Sequence, residues 1–374
     1  MFLFSTFRKI SIALALIAAM PFSAAGEIRI GALIDEFGVN ADLGKDYLAG
    51  ARTYFDYVNA NGGILGQKIN LVVKNDGGDA VETVRLTREF IEKEKVDALF
   101  GYIGDEGVQA LAGDAFFKAA QTLLYAPLSG TELNGQSNIY FVRPSYRDEA
   151  KHIVQHFTLL GSASFVVVAT PNQFGHSLTQ EVSEQLKSRG LALAGRFDLP
   201  LNLKNIDAIV RNVLSAKAQV VVLAADTIAT AEFLKRFRAV DRGTNVVAFS
   251  TVNHRTLLEI AKPEFAGSTL LTQVVPHPSQ STTKLQTEHR TLMLKYRDEP
   301  PSHLTLEGFM AAKSLVRVLE AAGRNAGHAG ILAALGGDRR YDLGGMTLVF
   351  SPKSDRGSNF VDIAFLRKNG TLVQ

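Results

Sequence analysis

Short apolar runs alternate with amphipathic segments along the chain from residue 27 onwards. Runs of about four to eight apolar and β-branched residues predict strands. In the first stretch these runs are residues 27–34, 67–74, 96–100, 122–125 and 139–142. Between them, apolar residues recur at helical spacing, as Leu48, Tyr54, Phe55 and Val58 do in the first such segment. This alternation predicts a parallel sheet with helices on both faces.

The same alternation begins again near residue 165. The predicted strands of this second series are residues 165–169, 191–197, 219–224, 245–249 and 268–275. Two similar α/β units in tandem predict an α/β protein with two Rossmann-like lobes.

The last part of the chain has a different pattern, because helical segments dominate it. They are residues 283–297, 304–323 and 329–335, with strands returning at 347–350 and 360–366. We expect the helices to cover the first lobe and the final strands to form a hairpin on the second. The predicted crossovers lie near residues 143–146, 275–279 and 344–351. The first lobe is then 26–144 plus 279–345, and the second is 145–278 plus 346–374.

Residues 1–25 have the pattern of a secretory signal peptide. Arg8 and Lys9 precede an uncharged apolar run at 10–20 that is too short for an ordinary transmembrane helix. Pro21 follows, and small residues lead up to a predicted cleavage after Ala25. The alternative is a retained membrane anchor. We expect an exported, periplasmic protein.

Charge and composition narrow the function classes. Cleavage after Ala25 removes two basic residues and no acidic one, so the formal charge falls from +3 to +1. This balance does not favour binding to nucleic acid or to a membrane surface. The chain has no cysteine, which excludes disulfides and thiolate chemistry. Catalytic signatures such as G-x-S-x-G, H-E-x-x-H and G-K-[ST] are missing too. We therefore expect no enzyme, cofactor or metal site.

Residues 99–108, LFGYIGDEGV, combine the end of a strand, a glycine turn and the start of a helix. Ligands of open parallel sheets sit beyond the carboxyl ends of the strands, where helix N-termini offer free N–H groups. Tyr102, Asp105 and Glu106 are therefore candidate ligand contacts. The alternative is that Asp105 only caps the helix and Glu106 only favours its dipole.

Other predicted strands end in similar polar turns. Their candidate contacts are Ser129, Gly130 and Thr131 in the first lobe, and Phe174, Asp226, Thr227 and Thr251 in the second. Hydroxyls and backbone N–H groups at 129–131 suit a carboxylate, although a plain polar turn fits the same residues. All of these positions face a cleft between the two lobes if the lobes lie opposite each other.

At this point the chain resembles the periplasmic solute-binding proteins of ABC importers of the branched-chain amino acid type. The resemblance covers essentially the whole exported chain. Its most specific segments are IRIGALIDEFG, LAGARTYFDYVNANGGILGQKINLVVKNDGGD, FVRPSYRDEA and SHLTLEGFMAAK. It implies the type I periplasmic binding protein fold, with three hinge crossovers and closure of the lobes on a small ligand.

The resemblance also implies roles for single residues. Ser129 and Thr131 match positions that hold the ligand's carboxylate, and Phe174 matches an aromatic residue that covers the ligand. Asp226 or Thr227 stands where a tyrosine is usual, and Thr251 lies near the position of the acid that receives an ammonium group. Asp105 and Glu106 occupy places where hydroxyl residues are usual. A leucine-like ligand is therefore not implied.

The function that follows is the substrate-binding component of an ABC importer. It would bind an amino acid or a related small polar or amphipathic solute and deliver it to an inner-membrane permease with its ATPase. We expect a monomer. The alternatives are a periplasmic sensor that presents a solute to a membrane receptor, and an exported enzyme on the same scaffold. If Asp105 or Glu106 faces the cleft, a purely anionic ligand should bind poorly.

Overall fold

The computed structural model describes residues 26–133, 138–280 and 282–374. The predicted signal peptide, residues 1–25, lies outside the described residues. The described chain forms two α/β lobes, as the alternation of apolar and amphipathic segments predicts.

The first lobe begins with a series of strands and helices that follows the predicted alternation. Its elements are β1 (Ile28–Ile34), α1 (Ala41–Ala60), β2 (Ile69–Asn75), α2 (Ala80–Glu92), β3 (Ala98–Phe100), α3 (Asp105–Gly113), α4 (Ala115–Ala120), β4 (Leu124–Tyr125) and β5 (Ile139–Tyr140). The strands lie in the order β2-β1-β3-β4-β5, and all pair in parallel. Successive residues of β3 point to opposite faces, so Ala98 and Phe100 join one core and Leu99 the other.

The second lobe repeats this arrangement. Its elements are α5 (Tyr146–Leu159), β6 (Phe165–Ala169), α6 (Gln173–Lys187), β7 (Leu193–Asp198), α7 (Ile206–Ser215), β8 (Val220–Ala224), α8 (Thr227–Val240), β9 (Asn245–Ala248), α9 (His254–Ala261), α10 (Pro263–Ala266) and β10 (Thr269–Gln273). Parallel pairing gives the order β10-β9-β8-β6-β7. Val220 and Val222 of β8 pack on one face, while Val221 and Leu223 pack on the other. Burial on both faces explains the continuous apolar run.

The remaining elements are divided between the lobes. They are α11 (Lys284–Tyr296), α12 (His303–Ala322), α13 (Gly327–Leu335), β11 (Arg339–Asp342), β12 (Thr347–Phe350), β13 (Asp362–Leu366) and β14 (Leu372–Val373). The three helices pack into the core of the first lobe. Strand β13 pairs antiparallel with β10, and β14 with β13, which extends the second sheet.

The crossing of α1 and α12 depends on two glycines. A Cβ atom on Gly308 would lie 1.9 Å from the carbonyl oxygen of Tyr47, and one on Gly50 would lie 1.9 Å from that of Thr305. Real Cβ atoms do not approach a backbone oxygen so closely, so the two helices touch backbone to backbone. This contact attaches α12 directly to the helix that follows the first strand.

The sequence prediction for residues 347–350 was wrong. These residues were expected in the second lobe, but β12 pairs with β11, and Leu348 and Phe350 pack into the core of the first lobe. Gly357 still binds this lobe, because its N–H donates to the carbonyl of Phe141 over 2.8 Å. The third crossover therefore follows Gly357 rather than lying near 344–351. Alternating apolar residues identify a strand but do not say which sheet it joins.

A buried ionic network occupies the crossovers. Arg143, which is fully buried, follows β5, and its guanidinium donates to the hydroxyl of Ser250. It lies 3.4 Å from the carboxylate of Glu149 in the second lobe and 3.6 Å from that of Glu307 in the first. Glu149 also accepts from the Ser250 N–H at 3.0 Å and from the hydroxyl of Thr272. One cation thus links acids of both lobes at the hinge.

Arg356 ties the first crossover to the segment that precedes the third. Its guanidinium donates to the carbonyl oxygens of Arg143 at 2.9 Å, Pro144 at 3.1 Å and Thr131 at 2.7 Å. It also lies 4.2 Å from the ring centroid of Phe141. Burial lowers the pKa of Arg356 to about 10. The arginine remains charged at neutral pH and cross-links two segments far apart in the sequence.

Candidate functional site

A cavity of about 350 Å³ lies between the lobes, at the carboxyl ends of both sets of parallel strands. We call it the interlobe cavity. From the first lobe its walls are Asp35, Gly38, Val39, Asn40, Leu43, Asp76, Gly77, Gly78, Thr83, Ile103, Gly104, Asp105, Glu106, Gly107 and Leu128. From the second lobe they are Tyr146, Asn172, Phe174, Asp226 and Thr251. This position is the one that open parallel sheets offer to ligands.

The turn between β3 and α3 forms part of the floor. Gly104 takes the N-cap position with φ 100° and ψ 158°, a conformation open essentially to glycine alone. Asp105 is the first helical residue rather than the expected N-cap, so its side chain is free for other partners. Glu106 follows it, is exposed, and also lines the cavity.

The carboxylate of Asp105 joins three segments. Its Oδ1 accepts hydrogen bonds from the hydroxyl of Ser129 at 2.5 Å and from the phenol of Tyr146 at 3.1 Å. Ser129 follows β4 in the first lobe, whereas Tyr146 begins α5 in the second. Burial raises the pKa of Asp105, and the two hydroxyls and the charge of Arg143 counteract part of that shift.

Residues 129–131 support the wall rather than forming it. Ser129 is fully buried and donates to Asp105. The hydroxyl of Thr131 accepts from the amide of Gln109 at 2.7 Å. A Cβ atom on Gly130 would lie 2.5 Å from the ring of Tyr146, so a larger residue here would clash with that ring. None of the described atoms of these three residues lines the interlobe cavity.

Tyr102 and Thr227 also lie outside the cavity wall. Tyr102 is buried in the core beneath α2 and α3, where its hydroxyl bonds that of Thr87 at 3.0 Å. The hydroxyl of Thr227 accepts from the backbone N–H of Asn253 at 3.1 Å. Of the residues that the sequence analysis selected, the structure brings Asp105, Glu106, Phe174, Asp226 and Thr251 together around the cavity.

The second lobe contributes an aromatic edge and polar groups. Phe174 packs edge-on against Tyr146, with ring centroids 5.7 Å apart. Asp226 caps α8, because its Oδ1 accepts a hydrogen bond from the Ala229 N–H at 2.9 Å. The cap does not use its other carboxylate oxygen, Oδ2. The hydroxyl of Thr251 has no partner, although this residue is only 7% exposed.

Sequence reasoning missed two carboxylates, Asp35 and Asp76. Asp35 accepts from the backbone N–H groups of Gly38 at 2.7 Å and Asn40 at 3.3 Å. Asp76 accepts from the Thr83 hydroxyl at 2.7 Å, and burial raises its pKa. Both directly follow a strand and precede a glycine-containing loop. That shared position is the signal that could have identified them.

The described residues contain no candidate metal centre and no candidate membrane-spanning helix. In residues 26–133, 138–280 and 282–374, no group of three or more potential ligands has the arrangement of a metal centre. Within the same ranges no helix combines the length and apolar character needed to cross a bilayer.

Comparisons with known proteins agree with this architecture. A family model described as periplasmic binding protein matches residues 27–371. A Leu/Ile/Val-binding protein homolog 7 of Brucella suis is 28% identical over 228 residues, which are 57% of this chain and 55% of the relative. The chain thus matches little more than half the length of that relative.

Solved structures give fuller coverage. A substrate-binding periplasmic protein of Ralstonia solanacearum has a TM-score of 0.87 and 27% identity, over 93% of this chain and all of that one. A fatty acid ABC transporter substrate-binding protein of Thermomonospora curvata has a TM-score of 0.79 and 19% identity, over 93% of this chain and 92% of that one. The second likeness concerns the fold alone. The family binds solutes and does not consist of enzymes. With its two parallel-sheet lobes and the cavity between them, this chain belongs to the periplasmic binding protein family.

Proposed function

We propose that this protein is the periplasmic substrate-binding component of an ABC importer. It binds an amino acid or a related small polar or amphipathic solute in the interlobe cavity and delivers it to a membrane permease. In this proposal residues 1–25 direct export and are then removed by cleavage after Ala25. The observation that carries the proposal is the cavity of about 350 Å³, whose walls come from both lobes.

A ligand in that position bridges the lobes and favours the closed arrangement. The contacts we assign to it are Asp105, Glu106, Phe174, Asp226 and Thr251, together with Asp35, Asp76 and Asn172. Tyr146 on the wall, with Ser129 and Thr131 behind it, fixes the carboxylate of Asp105 and its loop. The lobes close because the ligand binds the closed form more tightly than the open form.

The relatives' names support transport but do not identify the cargo. One relative is named for leucine, isoleucine and valine, and one structural neighbour is named for a fatty acid and an ABC transporter. Since such different ligands occur on one fold, the cargo follows from the residues of the cavity. The importer assignment rests on family membership together with the predicted signal peptide.

Thermal unfolding against a panel of metabolites tests the binding role. A ligand present at 100 times its Kd should stabilise the folded state by about 2.7 kcal/mol. Mass spectrometry of the purified protein should identify a co-purified solute of the same class. A folded protein that no small molecule stabilises contradicts the proposal.

Transport needs a separate test. Genes for a permease and an ATPase next to this gene, and loss of uptake of the identified solute when this gene is deleted, are the expected results. Unchanged uptake after deletion, with tight binding in vitro, would favour a sensor over an importer.

A further inference from the structure

Three hydroxyl donors at or just behind the wall of the interlobe cavity are already engaged by carboxylates of the chain itself. Ser129 and Tyr146 both donate to Oδ1 of Asp105, over 2.5 and 3.1 Å. Thr83 donates to Asp76 over 2.7 Å. A carboxylate group on a ligand needs such donors to replace its water, and these three are taken.

Two backbone N–H groups of the cavity loops are engaged in the same way. Those of Gly38 and Gly78 donate to Asp35 and Asp76, at 2.7 and 3.1 Å. The acidic side chains of the wall thus add several oxygen acceptors, while the hydroxyl of Thr251 is a donor that no protein group engages. A ligand that matches this wall must therefore bring its own N–H groups.

The charged residues that line the interlobe cavity are all acidic. The carboxylates that line it are Asp35, Asp76, Asp105, Glu106 and Asp226, and none of the described lining residues is Lys, Arg or His. Arg143 acts on Asp105 from behind the wall, but it lies against Glu149 and Glu307 and does not line the cavity. An anion brought into this cavity meets several like charges at reduced solvent screening.

An independent observation shows that the cavity is built for a polar ligand. The hydroxyl of Thr251 lies on its wall, has no hydrogen-bond partner, and belongs to a residue that is 7% exposed. A buried hydroxyl without a partner costs free energy unless a ligand or water satisfies it. Phe174 adds an aromatic group on the same side, which suits an alkyl chain or an ammonium group.

We propose that the interlobe cavity selects a small organic cation, a solute with an ammonium or amidinium group that needs no carboxylate for binding. In this arrangement Asp105 takes the hydroxyls that would otherwise hold a carboxylate of the ligand, and its negative charge faces the ligand's cation. The inference deepens the proposed function and rests on it.

Matched probes test this selection on the whole exported protein. L-Leucinamide, L-leucine and 4-methylpentanoate share an isobutyl group and differ in their polar groups, so that they are a cation, a zwitterion and an anion. Putrescine and adipate form a second pair of opposite charge. We expect thermal stabilisation by leucinamide, putrescine or both at millimolar concentration, less by leucine, and none by the two anions.

The outcomes separate this inference from the proposed function. Equal stabilisation by 4-methylpentanoate and leucinamide, or no stabilisation by either cation, overturns the cation selection and leaves the binding role standing if another metabolite binds. If the folded protein is stabilised by no compound of a broad panel, both ideas fail.

Two substitutions of Asp105 then separate its charge from its hydrogen bonds. Asp105→Asn keeps an oxygen that accepts from Ser129 and Tyr146 but removes the charge, so cation affinity should fall at least about tenfold with no gain for anions. Asp105→Ala also frees the two hydroxyls, so affinity for 4-methylpentanoate should rise.

Glu92→Gln is the matched control, since it removes one negative charge from an exposed part of α2 away from the cavity. It should bind every probe as the wild type does. Equal losses in Glu92→Gln and Asp105→Asn mean that net charge alone is responsible and overturn the site. If the Asp105 variants do not fold, the probe series on the wild type still decides.

Discussion

The carboxylate of Asp46 lies 2.5 Å from the guanidinium of Arg255, and this ion pair joins α1 of the first lobe to α9 of the second. The same carboxylate accepts from the side-chain amide of Asn253 at 3.3 Å. Arg255 also donates to the carbonyl of Pro300 at 3.2 Å. These bonds connect the two lobes directly.

Arg255→Gln should therefore shift the protein towards an open form. A partly exposed ion pair contributes about 0.5–1 kcal/mol, so the ratio of open to closed molecules should rise about two- to fivefold. Small-angle X-ray scattering of the ligand-free protein should show a larger radius of gyration. Arg317→Gln is the control, because its partner Glu320 lies on the same helix. A radius of gyration that changes equally in both variants argues against the interlobe role.

Arg143 should be far more important for stability than an exposed arginine. Arg143→Met leaves the buried carboxylates of Glu149 and Glu307 without their cation, which should lower the free energy of unfolding by about 3–5 kcal/mol. Arg147→Met is the matched control, because this arginine pairs with Glu181 at 3.1 Å but is half exposed. Its loss should be about 1 kcal/mol or less. Urea denaturation measures the free energy of unfolding of both variants. Similar losses would show that the buried hinge network stabilises the protein no more than an exposed ion pair does.

Gly308→Ala should destabilise the first lobe. The added Cβ atom meets the carbonyl oxygen of Tyr47 at 1.9 Å, so α1 and α12 must move apart and the core around them must loosen. Overpacking of this kind costs about 1–3 kcal/mol. Gly113→Ala, at the end of α3, has open space around its Cβ and should change the stability by less than about 0.5 kcal/mol. Thermal or urea unfolding compares the two, and an unaffected Gly308→Ala protein would mean that the helices can separate freely.

Acid should weaken the protein through a buried histidine. Burial lowers the pKa of His289 to about 3, and its Nε2 lies 3.0 Å from the hydroxyl of Thr305. Because the folded pKa is below the ordinary 6.5, the unfolded state binds the proton more tightly. Stability is therefore complete above pH 6.5 and is lost as the pH falls towards 3. Between pH 7 and pH 5 this one group should cost about 2 kcal/mol.

His289→Gln should flatten that dependence, whatever its effect at pH 7. Urea unfolding at pH 7 and pH 5 gives the difference directly, and the variant should lose about 2 kcal/mol less than the wild type. His152→Gln, on α5, is the control and should keep the wild-type dependence. An unchanged pH dependence in His289→Gln contradicts the assignment. Burial also lowers the pKa values of His254 and His303, so these two histidines contribute to the acid sensitivity that remains.

The main architecture could be predicted because strands that are buried on both faces of a sheet appear in the sequence as continuous apolar runs. The runs FVVVA and VVVLA became β6 and β8, and the two lobes followed from the repeated alternation. The sheet joined by β12 could not be predicted, since its residues alternate in the same way on either lobe. The close contact at Gly308 depends on where two distant helices cross.

The candidate site was predicted by position rather than by contact. Strand ends identified Asp105 and Phe174, because parallel strands end at one edge of a sheet. The sequence does not show in which direction a side-chain hydroxyl points in the folded protein. Ser129 was expected to face a ligand, but it turns to Asp105 instead. That contact depends on a neighbouring loop, so only the folded chain could reveal it.

The order in which the lobes fold follows from the contact between α1 and the late helices. The hydroxyl of Thr53 lies 3.1 Å from the sulfur of Met293, which is 240 residues away along the chain. By contrast, β6 to β10 come from one continuous segment. Closing the longer loop costs more entropy, so the second lobe should become protected from hydrogen exchange before the first during refolding. Pulse labelling that finds β1 protected ahead of β8 would contradict this order.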